Sequence, residues 1–74
     1  MENVKRERLE MDGIVVDGNK GQFKVEVNEN VYVLCTLSGK IRLNSVKILV
    51  GDRVTCEISP YDMTKGRIIY RHKN

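Results

Sequence analysis

Two groups of basic side chains are the residues of this sequence whose types and spacing could do chemistry. The first group lies in "SGKIRLNSVK" and the second in "TKGRIIYR"; together they comprise Lys40, Arg42, Lys47, Lys65, Arg67 and Arg71. Guanidinium groups bind phosphate through paired, charge-assisted hydrogen bonds, and ammonium groups bind it as point charges. The two segments therefore favour a surface that contacts a phosphate backbone.

The second segment has the alternation of a β-strand. With a period of two, Arg67 and Arg71 share one face with Ile69, whereas Ile68 and Tyr70 face the interior and fill the core. Two guanidinium groups around an aliphatic side chain suit phosphates and the flat face of a base. The alternative interpretation is a strand edge that carries charge to prevent aggregation.

The net formal charge of +3 is unevenly distributed along the chain. Residues 1–39 contain five basic and seven acidic side chains, whereas residues 40–74 contain eight basic and three acidic ones. This imbalance indicates a polyanionic partner, although a solvated charged face is an equally simple explanation. No apolar run is long enough to span a membrane.

The sequence contains no catalytic or metal-binding motif: it has no P-loop, no HExxH and no nucleophile elbow. Its single histidine, His72, lies close to the C-terminus, where chains usually fray. Cys35 and Cys56 lack the spacing of a zinc site or a redox pair. A disulfide between them is disfavoured because nothing marks the chain as secreted, so each thiol should pack as a small hydrophobic group. We expect a non-enzymatic protein without a cofactor or metal.

Short alternating segments separated by turn residues predict five β-strands. In "QFKVEV" and "RVTCEIS" every second residue is apolar, which is typical of half-buried strands. The first strand, "EMDGIVVDG", contains Gly13, and a glycine within a strand often marks a bulge or bend. "DGNKG" predicts a hairpin turn, "VYVLCTL" a central strand and "RIIYR" the last strand. Ser38 can cap a helix start, so residues 40–45 should form a loop or a single helical turn.

Five short strands with one short helical insertion between strands 3 and 4 predict an all-β barrel. The OB-fold is favoured, and an SH3-like barrel is the alternative, because strand counting does not separate the two. The OB-fold RNA-binding domain should cover residues 10–71, flanked by a flexible charged N-terminus at 1–9 and a flexible C-terminus at 72–74. Tyr61, in the turn after Pro60, is placed to stack on a base, whereas Phe23 is assigned to the core.

Three segments, "SGKIRLN", "KILVGDRVTCEISPYD" and "TKGRIIYR", closely resemble, in this order and spacing, the bacterial and plastid translation initiation factor 1 family. The similarity extends from Glu10 to Arg71, and the combination is specific although each motif alone is weak. The resemblance implies an OB barrel that binds the small ribosomal subunit at the aminoacyl (A) site. There it would contact decoding-centre rRNA, block premature tRNA entry and cooperate with initiation factors two and three.

The resemblance also implies roles for individual residues. Lys40, Arg42 and Lys47 would insert toward the decoding helix, and the later group would support contacts to rRNA; the rRNA-binding set is Lys40, Arg42, Lys47, Tyr61, Lys65, Arg67 and Arg71. The expected partners are the small subunit, with its 16S-type rRNA and a ribosomal protein near the decoding centre, and the two other factors. We expect no membrane partner, a monomer when free, and a location in the cytoplasm, or in the plastid stroma if the gene is plastid-encoded.

Two other functions stay open at this point. A general RNA-binding or RNA-chaperone module on the same barrel is disfavoured by the scarcity of exposed aromatic side chains. A protein-interaction module would use the apolar strand "VYVLCTL" as a docking edge.

Overall fold

A computed structural model describes residues 9–72 of the chain. The elements in order are β1 (Leu9–Asn19), β2 (Gln22–Asn28), β3 (Val31–Leu37), α1 (Gly39–Leu43), β4 (Arg53–Ile58) and β5 (Lys65–Arg71). Leu9 already belongs to β1, and the backbone N–H of His72 donates to the carbonyl of Arg53 at 2.9 Å. The described part thus reaches one residue further at each end than the predicted domain. The remainder of the two predicted flexible termini, residues 1–8 and 73–74, lies outside the described residues.

The five strands form one closed barrel in the order β1-β2-β3-β5-β4, with β1 pairing again with β4. Neighbouring strands are antiparallel except for β3 and β5, which are parallel. This arrangement, with a short helix between β3 and β4, confirms the predicted OB-fold. β3 pairs with β2 along residues 31–35 but with β5 only along residues 34–37. The docking edge hypothesised for "VYVLCTL" is therefore occupied by β5 from Leu34 onward, and for residues 31–33 it stays a prediction.

The first strand pairs with two other strands, and Gly13 lies next to the point where the pairing changes from β4 to β2. Residues Leu9–Ile14 pair with β4, and Ile14–Asn19 pair with β2. A Cβ atom on Gly13 would lie 2.6 Å from the carbonyl oxygen of Glu26, closer than real Cβ contacts allow. Only glycine lets β2 approach so closely, which explains the glycine that the sequence places inside this strand.

The core consists of the inward-facing residues of the alternating strands. The fully or nearly buried set comprises Val15, Val25, Val33, Cys35, Val54, Cys56, Ile58 and Ile68, joined by Ile41 and Ile48 from the insertion. Phe23 and Val27 pack against this cluster from its margin. The period-two prediction for β2 and β4 is therefore confirmed, as is the assignment of Phe23 to the core.

The last strand departs from strict alternation, and the prediction that Tyr70 fills the barrel is wrong. Cys56 of β4 lies opposite Ile68, but its neighbour Thr55 lies opposite Tyr70, so Ile69 is an extra, bulged residue. A bulge of one residue reverses which face the following side chains take. Ile68 is completely buried as predicted, whereas Tyr70 is 57% exposed.

The insertion begins as the sequence predicts. The Ser38 hydroxyl accepts a hydrogen bond from the backbone N–H of Ile41 at 3.3 Å, and so caps the first turn of α1. Across residues 9–72 no helix has the length and apolar character that a membrane crossing requires.

Candidate nucleic-acid interface

Two buried isoleucines hold the basic side chains of the insertion outward. Ile41 and Ile48 are only 5% and 7% exposed and belong to the core cluster. Lys40 and Arg42 flank the first isoleucine, Lys47 precedes the second, and all three basic residues are exposed. Because Ile41 and Ile48 point into the barrel, their neighbours along the chain are directed toward solvent.

The cations of the insertion are not neutralised by the rest of the fold. Among residues 9–72, no carboxylate forms an ion pair with Lys40, Arg42 or Lys47. The backbone around them is ordered by hydrogen bonds, including Arg42 N–H to the Ser38 carbonyl at 3.1 Å and Val46 N–H to the Ile41 carbonyl at 3.2 Å. Three positive charges are thus displayed on a fixed loop, an arrangement that suits the binding of phosphate groups.

The turn between β4 and β5 presents Tyr61 to solvent. The Ser59 hydroxyl accepts hydrogen bonds from the backbone N–H groups of Tyr61 and Asp62, at 3.1 and 3.3 Å. Asp62 in turn accepts from the Thr64 hydroxyl at 2.6 Å and from its backbone N–H at 3.0 Å. These bonds hold the pKa of the Asp62 carboxyl below its ordinary value, with the hydroxyl contributing most. The side chain of Tyr61 is 90% exposed, so its ring is open on the outside of an ordered turn.

A groove of ≈ 820 Å³ runs beside this turn, across the outer faces of β3 and β5. Its apolar surface comes from residues of several elements and connections, namely Leu9, Leu34, Ile58, Pro60, Tyr61 and Met63. Lys65 and Arg67 supply positive charge at one side, and Glu57 supplies a carboxylate. An apolar channel with cations along it can accommodate a flat base together with its phosphates.

Arg67 is paired across the sheet with Glu57. The two residues are directly opposite in the β4–β5 register, and the Arg67 Nη2 donates to Glu57 Oε1 at 2.7 Å. The arginine side chain is nevertheless 56% exposed, whereas that of Glu57 is 13% exposed. Arg67 can therefore still contact a ligand, although part of its charge is offset.

Arg71 is engaged more completely than Arg67. Its Nε and Nη2 atoms donate to the two carboxylate oxygens of Asp52 at 2.9 and 3.4 Å. Asp52 also accepts the backbone N–H of Leu49 at 2.8 Å. The Arg71 hydrogen bond is the main cause, and the Leu49 hydrogen bond the second, of a pKa of Asp52 below its ordinary value. Arg71 thus fastens the turn after the insertion to β5.

The structure separates one of the predicted site residues, Arg71, from the others of its segment. Lys65, Arg67 and Tyr61 line the groove together, as expected for one side of the surface. Arg71, in contrast, lies at the far end of β5; because β3 and β5 are parallel, α1 follows β3 toward that same end. The prediction that Arg67 and Arg71 share a strand face is wrong, since the bulge at Ile69 lies between them.

Negative charge is concentrated on another side of the barrel. A shallow hollow at β1 and β2 is bordered by Asp12, Glu26 and Glu29, with Arg53 as its basic member. The imbalance in charge along the sequence is therefore also an imbalance in space.

Several residues of the groove were not foreseen from the sequence. Leu34 and Thr36 alternate outward from β3, so a period-two interpretation of "VYVLCTL" would have identified them. Met63 and Glu57 could not have been placed, because their positions depend on the pairing of β4 with β5. Tyr32 of β3 is 40% exposed, and the Lys24 ammonium lies 4.5 Å from its ring centroid.

A closed five-stranded barrel with this strand order belongs to the OB-fold class, many of whose members bind oligonucleotides. The family model described as translation initiation factor 1A / IF-1 matches residues 2–74. The chain is also 49% identical over 70 residues to the chloroplastic translation initiation factor IF-1 of Tetradesmus obliquus, covering 93% of this chain and 69% of that protein. The chain therefore belongs to the translation initiation factor 1A / IF-1 family.

Two solved structures share the fold. The solution structure of translation initiation factor 1 from the Wolbachia endosymbiont strain TRS of Brugia malayi matches with a TM-score of 0.75 and 37% identity, over 90% of this chain and 80% of that one. The crystal structure of YjeQ from Thermotoga maritima matches with a TM-score of 0.71 and 38% identity, over 88% of this chain but only 23% of that one.

Proposed function

We propose that this protein acts in translation initiation by binding the small ribosomal subunit at the A site. It contacts decoding-centre rRNA and a nearby ribosomal protein, prevents premature tRNA entry and cooperates with initiation factors two and three. It acts by binding and not by catalysis. Membership of the translation initiation factor 1A / IF-1 family is the observation that carries this proposal.

The proposed RNA-binding surface consists of the insertion and the groove. Cations without an internal ion pair supply most of the phosphate contacts, and Tyr61 offers a ring for stacking. The full set is Lys40, Arg42, Lys47, Tyr61, Lys65, Arg67 and Arg71. Arg71 contributes less than the others because Asp52 already uses two of its N–H groups and offsets its charge.

The proposed compartment rests on the relatives. The similarity to a chloroplastic protein supports the plastid stroma as the place of action, with the bacterial cytoplasm as the equivalent compartment if the gene is bacterial. In either compartment the proposed partner is the free small subunit, to which the protein binds as a monomer.

Alanine substitutions at Arg42 and Arg67 test the surface directly. Each change should weaken binding to purified small subunits while the circular dichroism spectrum stays that of the unmodified protein. The melting temperature should stay unchanged for Arg42→Ala and fall slightly for Arg67→Ala, because the latter removes the ion pair with Glu57. Arg53→Ala is the matched control, because Arg53 is an exposed arginine that borders the acidic hollow. Equal affinity of all three variants and the unmodified protein would contradict the proposed surface.

The dependence of binding on salt tests the electrostatic mechanism. Neutralising a phosphate contributes about 0.7 to the slope of log affinity against log salt for single-stranded RNA. Four cations of the surface form no ion pair with a carboxylate among residues 9–72, namely Lys40, Arg42, Lys47 and Lys65. We therefore expect a fall of about three in log affinity per tenfold rise in salt, with ion-paired Arg67 and Arg71 adding little. A flat response would contradict this mechanism.

Footprinting of small-subunit rRNA with and without the protein tests the location. Protection at the decoding centre is expected. Equal affinity for random single-stranded RNA and for small subunits would instead indicate a general RNA-binding module.

A further inference from the structure

The core of the barrel contains two free thiols in direct contact. The Sγ atoms of Cys35 and Cys56 lie 3.3 Å apart, and the Cys35 thiol donates to the Cys56 sulfur. Both residues are completely buried, and neither forms a disulfide. The proposed RNA-binding surface uses neither residue.

The two cysteines come from strands that are not neighbours. Cys35 of β3 lies opposite Gly66, and Cys56 of β4 lies opposite Ile68, so β5 separates the two strands in the sheet. The thiols meet because the closed sheet curves and both side chains point into the interior. Their closeness is thus a product of the barrel and could not be deduced from a separation of 21 positions along the chain.

We propose that Cys35 and Cys56 form a reversible dithiol–disulfide site inside the barrel, oxidised by peroxide. A disulfide has an S–S distance of about 2.05 Å, so the sulfur atoms must approach by a little more than about 1 Å. Peroxide is the oxidant class that fits this site, because it is hardly larger than water and both sulfur atoms are completely buried.

The hydrogen bond between the thiols assigns a role to each. A hydrogen bond from the Cys35 S–H to the Cys56 sulfur, 3.3 Å away, stabilises the thiolate form of Cys56; the Val33 carbonyl, at 3.9 Å, is the more distant acceptor for the same S–H. The pKa of Cys35 is raised above its ordinary value, first by this hydrogen bond and then by burial. Cys56 is accordingly the sulfur that reacts first with peroxide, and Cys35 is the one that resolves the product.

The reaction balances without any other redox partner. The Cys56 thiolate attacks one oxygen of hydrogen peroxide and the O–O bond breaks, giving a sulfenic acid and hydroxide, which takes up the proton that Cys56 released. The Cys35 sulfur then attacks the sulfenic sulfur, the S–O bond breaks, and the thiol proton leaves with the hydroxyl as water. Two electrons pass from the thiols to the peroxide, and two water molecules form. A small dithiol restores both thiols by exchange.

The bond would enclose the whole insertion. The segment between Cys35 and Cys56 includes α1 and the following loop with Lys40, Arg42 and Lys47. Oxidation would therefore tie together both ends of the loop that carries the first basic cluster.

Intact-mass spectrometry after treatment with hydrogen peroxide in native buffer tests the proposal. The unmodified protein should lose two hydrogen atoms, remain monomeric, yield a peptide pair linked through Cys35 and Cys56 after digestion, and regain the hydrogens with dithiothreitol. Cys35→Ala should instead gain oxygen atoms at Cys56, because the resolving thiol is missing. Circular dichroism before and after treatment checks that the fold is intact in each sample.

Three results would overturn the proposal. These are the absence of the two-hydrogen loss, its appearance only after urea is added, and a linkage between two chains instead of within one. The second of these results would mean that the thiols react only in the unfolded chain.

Discussion

Replacing Arg71 and Arg42 one at a time by alanine tests whether internal ion pairing decides which cations bind RNA. Arg71 donates two hydrogen bonds to Asp52, and the paired side chains are 33% and 18% exposed. Arg42 is exposed and forms no ion pair with any residue between 9 and 72. Arg71→Ala should therefore lower stability and change binding little, whereas Arg42→Ala should weaken binding and change stability little.

The expected size of each effect follows from these contacts. Loss of the partly exposed Arg71–Asp52 pair should lower the free energy of unfolding by about 1 kcal/mol, the upper end for such pairs, and the melting temperature by about 4–8 °C. Arg42→Ala should change the free energy of unfolding by less than about 0.5 kcal/mol. In binding, Arg42→Ala removes a charged hydrogen bond worth about 1.5–3 kcal/mol, which is roughly a 10- to 100-fold loss of affinity, and about 0.7 of the salt slope.

Thermal denaturation measures the change in stability, and titration of small subunits at several salt concentrations measures the change in affinity and in salt slope. Asp52→Asn serves as the companion variant, since an amide oxygen can still accept the Leu49 N–H while the offsetting charge is lost. Its salt slope should rise by up to about 0.7 as Arg71 becomes available. The reasoning is refuted if Arg71→Ala lowers the salt slope as much as Arg42→Ala does and leaves the melting temperature unchanged.

Three further predictions concern the barrel itself. Gly66→Ala should cost about 1–3 kcal/mol of stability in urea denaturation, because the added Cβ would lie 2.6 Å from the Glu57 carbonyl oxygen. Gly39→Ala, where a Cβ meets nothing within 4 Å, is its control, and equal losses in both would contradict the steric argument. Ile68→Ala should cost about 2–5 kcal/mol because the side chain is fully buried, whereas a loss below about 1 kcal/mol would mean that the core collapses around the gap. Because the pKa of Asp52 is lowered in the folded protein, its contribution to stability is present above its unfolded pKa of about 3.9 and is lost as pH falls through the folded value. Melting temperatures measured between about pH 6 and about pH 2 should therefore fall less steeply for Asp52→Asn than for the unmodified protein, and parallel curves would show that Asp52 does not contribute.

The sequence was sufficient for the fold because its signals are local. Alternation in β2 and β4 depends only on neighbouring residues, and the chain reverses between β1 and β2 at Lys20 and Gly21, whose φ angles of 52° and 81° suit a two-residue hairpin turn. The Ser38 cap is likewise a contact within one helical turn. Each of these features was predicted from a few consecutive residues, whereas the choice between an OB-fold and an SH3-like barrel depends on how distant strands pair.

The ion pairs and the thiol contact could not be predicted, because they depend on how distant strands are paired. Arg67 meets Glu57 through the β4–β5 register, and the bulge at Ile69 cannot be read from "RIIYR". A single extra residue there turns Tyr70 outward and moves Arg71 away from the face of Arg67. Alternation predicted the correct side for Ile68, which precedes the bulge, and the wrong side for Tyr70, which follows it.

This division between local and distant contacts bears on how affinity and stability are related in the protein. The cations of the insertion are attached to the barrel through Ile41 and Ile48, so the residues proposed to contact RNA and the residues that hold the loop alternate along the chain. A basic residue here can be exchanged without disturbing the core, because its charge takes part in no internal pair between residues 9 and 72. At β5 the same separation is absent, since Arg67 and Arg71 bind carboxylates of the fold itself. Substitutions of the basic residues in the insertion should therefore change RNA affinity alone, whereas substitution of Arg67 or Arg71 should lower stability.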